Sequence, residues 1–288
     1  MPSLIDLRRR IRSVRNMQQI TKAMKMVSAA KLRRAQERAV ASRPYAGMLC
    51  RMLSHVAAAS SGIDEAADLA LLQVREEKRI QLIVVSSDTG LAGGFNSNLL
   101  RMAQRFADEH REAELKIEAI GRKGRDYFRK RNFTLSGEHV GIVDKPKYND
   151  AAAIADRMIE AYRNAEVDAV YIATNEFKNV MAPRLELRKI LPVELPEDQP
   201  EQQIDYIFEQ PPHELLRVLL PRYVEMEIYR SMLESISAYH AARMTAMDSA
   251  CSNAGDVIDT LTLKLNRARQ ANITREIIEI VSGAAALG

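Results

Sequence analysis

The first thirty residues of the chain predict a helix with one apolar face. Apolar side chains recur at spacings of three and four residues, and this spacing places them on the same side of a helix. The stripe consists of Leu4, Leu7, Ile11, Val14, Met17, Ile20, Met24 and Val27. Such a face is stable in water only when it packs against another element.

Capping residues and a proline suggest the bounds of this helix. Ser3 is a suitable N-cap, and Asp6 lies in the first turn, where a carboxylate interacts favourably with the helix dipole. The helical pattern continues to about Ala59. Pro44 lies inside it, and proline removes a backbone donor and disfavours helical geometry in the preceding residue. We therefore expect a kink or a break near Arg43.

The middle of the chain, residues 75–210, predicts a different architecture. Short apolar runs that suit buried strands alternate there with amphipathic helical stretches. The predicted strands are 80–86, 115–120, 167–173, 186–192 and 204–209, and the predicted helices are 98–110, 124–131 and 150–164. Because strands that alternate with helices form βαβ units, we predict a central Rossmann-like α/β domain.

The C-terminal segment, residues 212–288, returns to helical spacing. A helix of about seventy residues would be roughly 105 Å long, which is more than a globular domain of this size can cover. It needs a second long helix, and the N-terminal segment, residues 1–59, is the candidate. We therefore predict the α/β fold class, with a long antiparallel coiled coil of the N- and C-terminal helices beside the central domain. The C-terminal stripe consists of Ala250, Ala254, Val257, Leu261, Leu265 and Ala268.

Composition and charge narrow the class of function. Aromatic residues make up 5% of the chain and Trp is absent, which suits long helices better than a thick core. The chain contains no run of eighteen apolar residues, which is about the length that a membrane-spanning helix needs. Residues 1–43 carry a net charge of +10 in a chain whose total is +4. This basic segment has no interleaved aromatic residue and no DNA-binding motif, so we expect no nucleic acid partner. A solvated face and an acidic protein partner both stay open.

Three features could carry chemistry. The Gly-rich stretch Ser87–Asn96 follows a predicted strand, where dinucleotide-binding folds place a phosphate loop, but its glycine spacing differs and the Lys of a P-loop is missing. A tight turn is the better interpretation. The five His residues are scattered, so no metal site is expected. Cys50 and Cys251 are expected to stay unpaired as small buried residues. We expect neither a catalytic residue nor a cofactor.

Four stretches of the chain resemble the gamma subunit of the F-type ATP synthase. They are Ile20–Lys31, Ser87–Asn96, Ala241–Met247, and Asn266–Thr274 with its continuation Glu279–Ala285. The last is the most specific, because its length and order are difficult to match by chance. The resemblance covers nearly the whole chain. It implies a rotor stalk without catalytic residues, whose coiled coil stands inside a ring of three alpha and three beta subunits. The central domain would rest on the epsilon subunit and on the ring of c subunits.

The resemblance also implies roles for individual residues. The residues that match contacts to one loop of a beta subunit are Arg269, Gln270 and Thr274. The residues that match the supporting coupling region are Met24, Arg243 and Glu279. Tyr206 and Glu209 match the foot that contacts the c ring and epsilon. Proton flow would turn the stalk, and its asymmetry would drive the three catalytic sites on beta out of phase.

The resemblance also indicates the kind of organism that the chain comes from, and two alternative functions stay open. The chloroplast-type insertion with its cysteine pair is absent, and the first helix leaves no room for a presequence. Both points favour a bacterial enzyme at the cytoplasmic face of the cell membrane. A coiled-coil adaptor without a rotary role is one alternative. A small-molecule enzyme that uses the Gly-rich loop of the central domain is the other.

Overall fold

The computed structural model describes residues 3–60, 69–177, 184–194 and 210–287, including their side chains except those of residues 60 and 283–287. The chain divides into two compact units, residues 1–28 with 243–288 and residues 29–242. The two long helices, α1 (Leu4–Ser60) and α5 (Pro212–Leu287), each contribute to both units. The segments predicted from the sequence follow secondary structure rather than these units. A separate central domain of residues 75–210 therefore stays a prediction.

The larger unit, residues 29–242, is built on a five-stranded sheet. The order across the sheet is β3-β2-β1-β4-β5, with β1 to β4 parallel and β5 antiparallel to β4. This order confirms the predicted Rossmann-like α/β arrangement. The strands are β1 (Arg79–Val85), β2 (Glu114–Ile120), β3 (Leu135–His139), β4 (Ala169–Glu176) and β5 (Arg184–Leu191), and the helices between them are α2 (Phe95–Glu109), α3 (Arg122–Arg129) and α4 (Tyr148–Arg163).

One detail of the sheet differs from the sequence-based expectation, and one predicted strand is untested. Strand β3 was not predicted, because its sequence, Leu-Ser-Gly-Glu-His, contains a single large apolar residue. The predicted strand at 204–209 lies outside the described residues. A short 3-10 helix (Ala70–Leu72) precedes β1.

Both faces of the sheet are covered, as parallel strands require. Helices α2 and α3 pack on the face that includes Leu82 and Val84. The opposite face includes Ile83 and Val85 and is covered by α4 together with parts of α1 and α5. From Val224 to Ala241, α5 is buried on nearly every side. The expectation that a second long helix must cover α5 was therefore incomplete, because the sheet covers this part of it.

Helix α1 is continuous from its N-cap to its end. The backbone N–H of Asp6 donates to Ser3 Oγ at 3.1 Å, which confirms the predicted cap. The predicted break near Arg43 is wrong, since the helix passes through Pro44 without interruption. Because Pro44 has no backbone N–H, the carbonyl of Val40, four positions earlier, lacks its helical hydrogen bond. Both Val40 and Pro44 are exposed, so water can solvate that carbonyl.

A buried carboxylate ties β2, β3 and α4 together. Glu118 is fully buried and accepts hydrogen bonds from Ser136 Oγ at 2.8 Å and Arg157 Nη1 at 2.9 Å, and its Oε1 lies 2.6 Å from His139 Nε2. Burial alone would raise the pKa of Glu118. The hydrogen bonds from His139 and Ser136 and the charge of Arg157 outweigh burial, so the pKa lies below its ordinary value. The carboxylate is thereby ionised inside the protein.

Gly137 leaves the space that this network occupies, which generates a first prediction. A Cβ at position 137 would overlap the Glu118 carboxylate and lie 2.6 Å from Arg157 Nη1. We expect Gly137→Ala to lower the free energy of unfolding by about 1–3 kcal/mol. Urea denaturation of the purified chain measures it. Gly47→Ala in α1 is the control, because its Cβ would meet nothing within 4 Å. Equal stability of the two variants would show that the network tolerates displacement.

Candidate functional site

In the smaller unit, residues 1–28 with 243–288, α1 and α5 run antiparallel. Gln18 Nε2 donates to the carbonyl oxygen of Cys251 at 3.4 Å, and Lys25 Nζ lies 2.5 Å from Asp248 Oδ1. As the residue numbers increase along α1, the numbers of the contacting residues on α5 decrease. This contact pattern confirms the antiparallel pair predicted from the sequence.

The buried face of α1 in this unit repeats every seven residues. The covered positions that recur in steps of three and four are Leu4, Leu7, Ile11, Val14, Gln18, Thr21, Lys25 and Ser28, and Asp6 and Met24 are half-buried beside them. We call this set, with its counterpart on α5, the seam. A repeat of 3.5 residues per turn is the period of a left-handed coiled coil.

Beyond Val14 the predicted α1 stripe is wrong at three of its four positions, and only Met24 is half-buried as predicted. Met17, Ile20 and Val27 have exposed fractions of 57%, 53% and 57%. Their spacing takes successive steps of three residues, and each such step turns about 60° short of a full rotation. The apolar positions therefore move off the seam, while Gln18 and Thr21 continue it. Polar residues at these seam positions gave no hydrophobic signal in the sequence.

On α5 the predicted stripe is largely confirmed. Ala254 is buried, and the half-buried members are Ala250, Leu261, Leu265 and Ala268. Val257 is 46% exposed, so its assignment was wrong. The half-buried residue at this level is Ile258.

The seam ends near Ala268, and every described side chain beyond it is exposed. Residues 269–282 continue α5 without a covered face. We call this stretch the tip. Large exposed apolar side chains mark surfaces that bind other proteins. On the tip they are Ile273, Ile277, Ile278, Ile280 and Val281, with exposed fractions between 47% and 71%.

The residues assigned by resemblance fall into two groups. Met24 and Arg243 are half-buried in the helix pair of the smaller unit. The other four are exposed on the tip, and they are Arg269, Gln270, Thr274 and Glu279. The 26 residues from Arg243 to Arg269 correspond to about 39 Å of helix, so one small binding partner could not contact both groups. Tyr206 and Glu209 lie outside the described residues.

The Gly-rich turn after β1 is held by its own polar groups. The Asp88 carboxylate accepts from the backbone N–H of Arg122 at 2.9 Å and of Gly141 at 3.1 Å. Thr89 Oγ1 lies 2.5 Å from the hydroxyl oxygen of Tyr239 on α5. These contacts join three loops and a helix, which supports the interpretation as a tight turn.

The described parts of the chain contain neither a cluster of metal ligands nor a membrane-spanning helix. Within them, no group of three or more His, Cys, Asp or Glu side chains could hold a metal ion. No helix of the described residues has the length and apolar character needed to span a bilayer.

Comparison with known proteins decides the family. A sequence model described as ATP synthase matches residues 3–287. The gamma chain of ATP synthase from Solibacter usitatus is 60% identical over 286 residues, which cover 99% of both chains. The gamma chain from Pelotomaculum thermopropionicum is 49% identical over the full length of both. The chain belongs to the ATP synthase gamma chain family.

Solved structures agree with this membership in the gamma chain family. The central stalk and c-ring structure of the mitochondrial ATP synthase from Tetrahymena thermophila matches with a TM-score of 0.62 and 25% identity, over 80% of this chain and 99% of that one. A chain of the Euglena gracilis mitochondrial enzyme matches with a TM-score of 0.69 over 99% of this chain and 94% of that chain. Its 16% identity supports the fold alone.

The seam generates a second prediction. Because Lys25 and Asp248 are in contact through the full length of the Lys side chain, the double variant K25C/D248C, made in a C50S/C251S background, should be joined by a short bifunctional thiol cross-linker. Peptide mapping of the treated chain detects the cross-link. The control pair, I20C/D248C, uses a residue from the stripe that the structure places off the seam. Cross-linking of the control pair alone would contradict the seam described here.

Proposed function

We propose that the chain is the central rotor stalk of a proton-translocating F-type ATP synthase, and that it couples rotation of the c ring to ATP synthesis and hydrolysis on the beta subunits. The observation that supports this role best is the tip, because a helix whose described side chains are all exposed, five large apolar ones among them, suits a surrounding collar of protein. Family membership supports the same role. Co-purification with an alpha–beta hexamer tests it, and an isolated chain that never joins the hexamer would contradict it.

The partners that we propose are the alpha, beta, epsilon and c subunits. The tip and the helix pair would lie within the ring of alpha and beta subunits, and residues of the larger unit would contact epsilon and the c ring. The resemblance of this chain to a central stalk solved together with its c ring supports this assignment. We place the complex at the cytoplasmic face of a bacterial cell membrane, with this chain held there through the c ring.

We further propose that the chain has no catalytic residue of its own. The Gly-rich turn supports this, because Asp88 and Thr89 already bond to groups of the fold. ATP chemistry would then take place on beta, and this chain would regulate it by contact. Nucleotide binding to the purified chain, measured by calorimetry, is the check. Micromolar affinity would favour the enzyme alternative.

At the level of residues, Arg269 and Gln270 are proposed to contact one loop of a beta subunit. Consecutive helix residues point about 100° apart, so the two side chains can approach such a loop from two sides. Thr274 is one turn beyond Gln270 on the same face. Arg offers a planar fork of donors that suits a carboxylate, and Gln adds a neutral donor and acceptor. Met24, Arg243 and Glu279 are proposed to support these contacts.

These contacts generate a third prediction. A hydrogen bond to a charged group at an interface contributes about 1.5–3 kcal/mol, and it would bias the three catalytic sites if made at one rotor angle alone. R269A/Q270A should therefore slow multisite ATP hydrolysis by at least several-fold. Nucleotide affinity at the first site should change little, because that pocket belongs to beta. Steady-state and single-site assays on the assembled complex measure both.

A matched variant controls for the loss of side chains from the tip. Arg275 is also an exposed basic residue of the tip, yet the resemblance gives it no role. R275A should leave multisite turnover within about two-fold of the wild type. Wild-type turnover in R269A/Q270A, or equal slowing in R275A, would refute the assignment of Arg269 and Gln270.

Tyr206 and Glu209 are proposed as part of the foot, which generates a fourth prediction. Y206A/E209K should weaken the grip on the c ring, so that ATP hydrolysis continues while ATP-driven proton pumping falls. Pumping in reconstituted vesicles, divided by the hydrolysis rate, measures this loss. An unchanged ratio would remove both residues from the foot.

A further inference from the structure

One contact between α1 and α5 in the smaller unit is polar and reciprocal. Gln18 Nε2 donates to the backbone carbonyl of Cys251 at 3.4 Å, and Cys251 Sγ lies 3.8 Å from the backbone carbonyl of Gln18, to which a thiol can donate. Each side chain therefore reaches the main chain of the opposite helix. Thr21 Oγ1 also donates to the Gln18 carbonyl at 2.9 Å, so this acceptor has a second side-chain donor beside Cys251 Sγ.

A glycine makes room for this contact. Gly255 lies one turn beyond Cys251 on α5, in the interior of a long helix. Glycine is the poorest helix former after proline, so its presence there needs a reason. A Cβ at position 255 would lie 3.3 Å from Gln18 Nε2, closer than ordinary van der Waals contact. An alanine at this position would displace the Gln18 amide by a few tenths of an ångström, whereas glycine leaves it within reach of the Cys251 carbonyl.

The surrounding stretch has few large apolar side chains to hold the helices in register, and these are the buried Met247 of α5 and the half-buried Met24 of α1. Large apolar side chains interdigitate in most coiled coils and so oppose sliding. The four seam positions of α1 in this stretch are polar, and they are Gln18, Thr21, Lys25 and Ser28. The ion pair of Lys25 and Asp248 is exposed on both sides, with side-chain exposed fractions of 42% and 59%. Exposed pairs of this kind contribute little.

We propose that Gln18, Cys251 and Gly255 form an interhelical clasp that fixes the axial register of α1 against α5. A polar residue at a seam position specifies register at a cost in stability. The clasp would keep the exposed residues of both helices in a constant relation while torque passes along the rotor. That last step rests on the proposed rotor function, whereas the register itself does not.

If the clasp sets the register, its loss should reduce the coupling of proton pumping to ATP hydrolysis without lowering thermal stability. Two variants test this expectation. Q18L places an apolar side chain in the seam, and G255A improves helix propensity while crowding the Gln18 amide. Both variants should unfold at or above the wild-type temperature. In vesicles that contain the complete ATP synthase, both should hydrolyse ATP within two-fold of the wild type. Protons pumped per ATP should fall at least two-fold, because a register free to shift loses rotor angle.

Gly47→Ala is the matched control for G255A. Gly47 is also in a helix interior, and an added Cβ would meet nothing within 4 Å. This variant should gain thermal stability and keep the wild-type pumping ratio. If Q18L and G255A pump like the wild type, or lose pumping together with thermal stability, the clasp has no role in register.

A direct measurement of register distinguishes the clasp from the proposed beta contacts. Spin labels at the exposed positions Ile20 and Ser252, in a C50S/C251S background that keeps a hydroxyl donor at position 251, report the distance between the helices in the assembled complex. The distribution should be narrow in this reference. Adding Q18L should broaden it or displace it by about one heptad, roughly 10 Å along the axis. An unchanged narrow distribution would overturn the proposal, whatever happens when Arg269 or Gln270 is replaced.

Discussion

The larger unit depends on the burial of α5 against its sheet. Between Val224 and Ala241 this helix is covered on nearly every side, and its polar groups inside the core are bonded, as when Ser235 Oγ donates to the carbonyl of Val85 at 3.0 Å. Strand β1 lies where the strand order reverses, and doubly wound folds bind their ligands in the crevice at that point. Here Tyr239 of α5 contacts the loop that follows β1. The architecture that holds a cofactor in other proteins thus holds a helix in this one.

The smaller unit is held by a different balance of forces. Its seam buries Thr21 and Ser28 beside Leu7 and Ile11, so it gains less from the hydrophobic effect than an apolar seam of equal length. Directional contacts gain importance where apolar burial is small. The contact between Gln18 and Cys251 is of this kind. It can specify one alignment of the two helices, whereas purely apolar surfaces would permit several.

The sequence predicted the parts of this fold in which apolar pattern and structure coincide. Strands β1 and β4 are apolar runs, β2 alternates between apolar and polar residues, and each was expected within three residues of its observed bounds. The missed features all combine burial with polar sequence. They are the edge strand β3, the seam at Gln18 and Thr21, and the serine-containing stretch of α5 that the sheet covers. Hydrophobic periodicity cannot detect such positions, because their side chains are polar and are buried with their hydrogen bonds satisfied inside the protein. The exposed residues that are proposed to contact beta have no local signal either, and a family resemblance was needed to single them out.

The tip combines two kinds of surface whose angular dependence differs. Hydrophobic contact is non-directional and scales with area, so side chains such as Ile277 and Ile280 can rest against an apolar collar at any rotor angle with similar free energy. Hydrogen bonds depend steeply on distance and angle, so a contact from Arg269 or Gln270 can form at one angle and break at the next. A rotor needs both properties, because it must turn freely and still distinguish three positions. The order along α5, with the polar pair directly beyond the seam and the apolar residues farther out, places the angle-dependent contacts next to the part of the rotor that the second helix still supports.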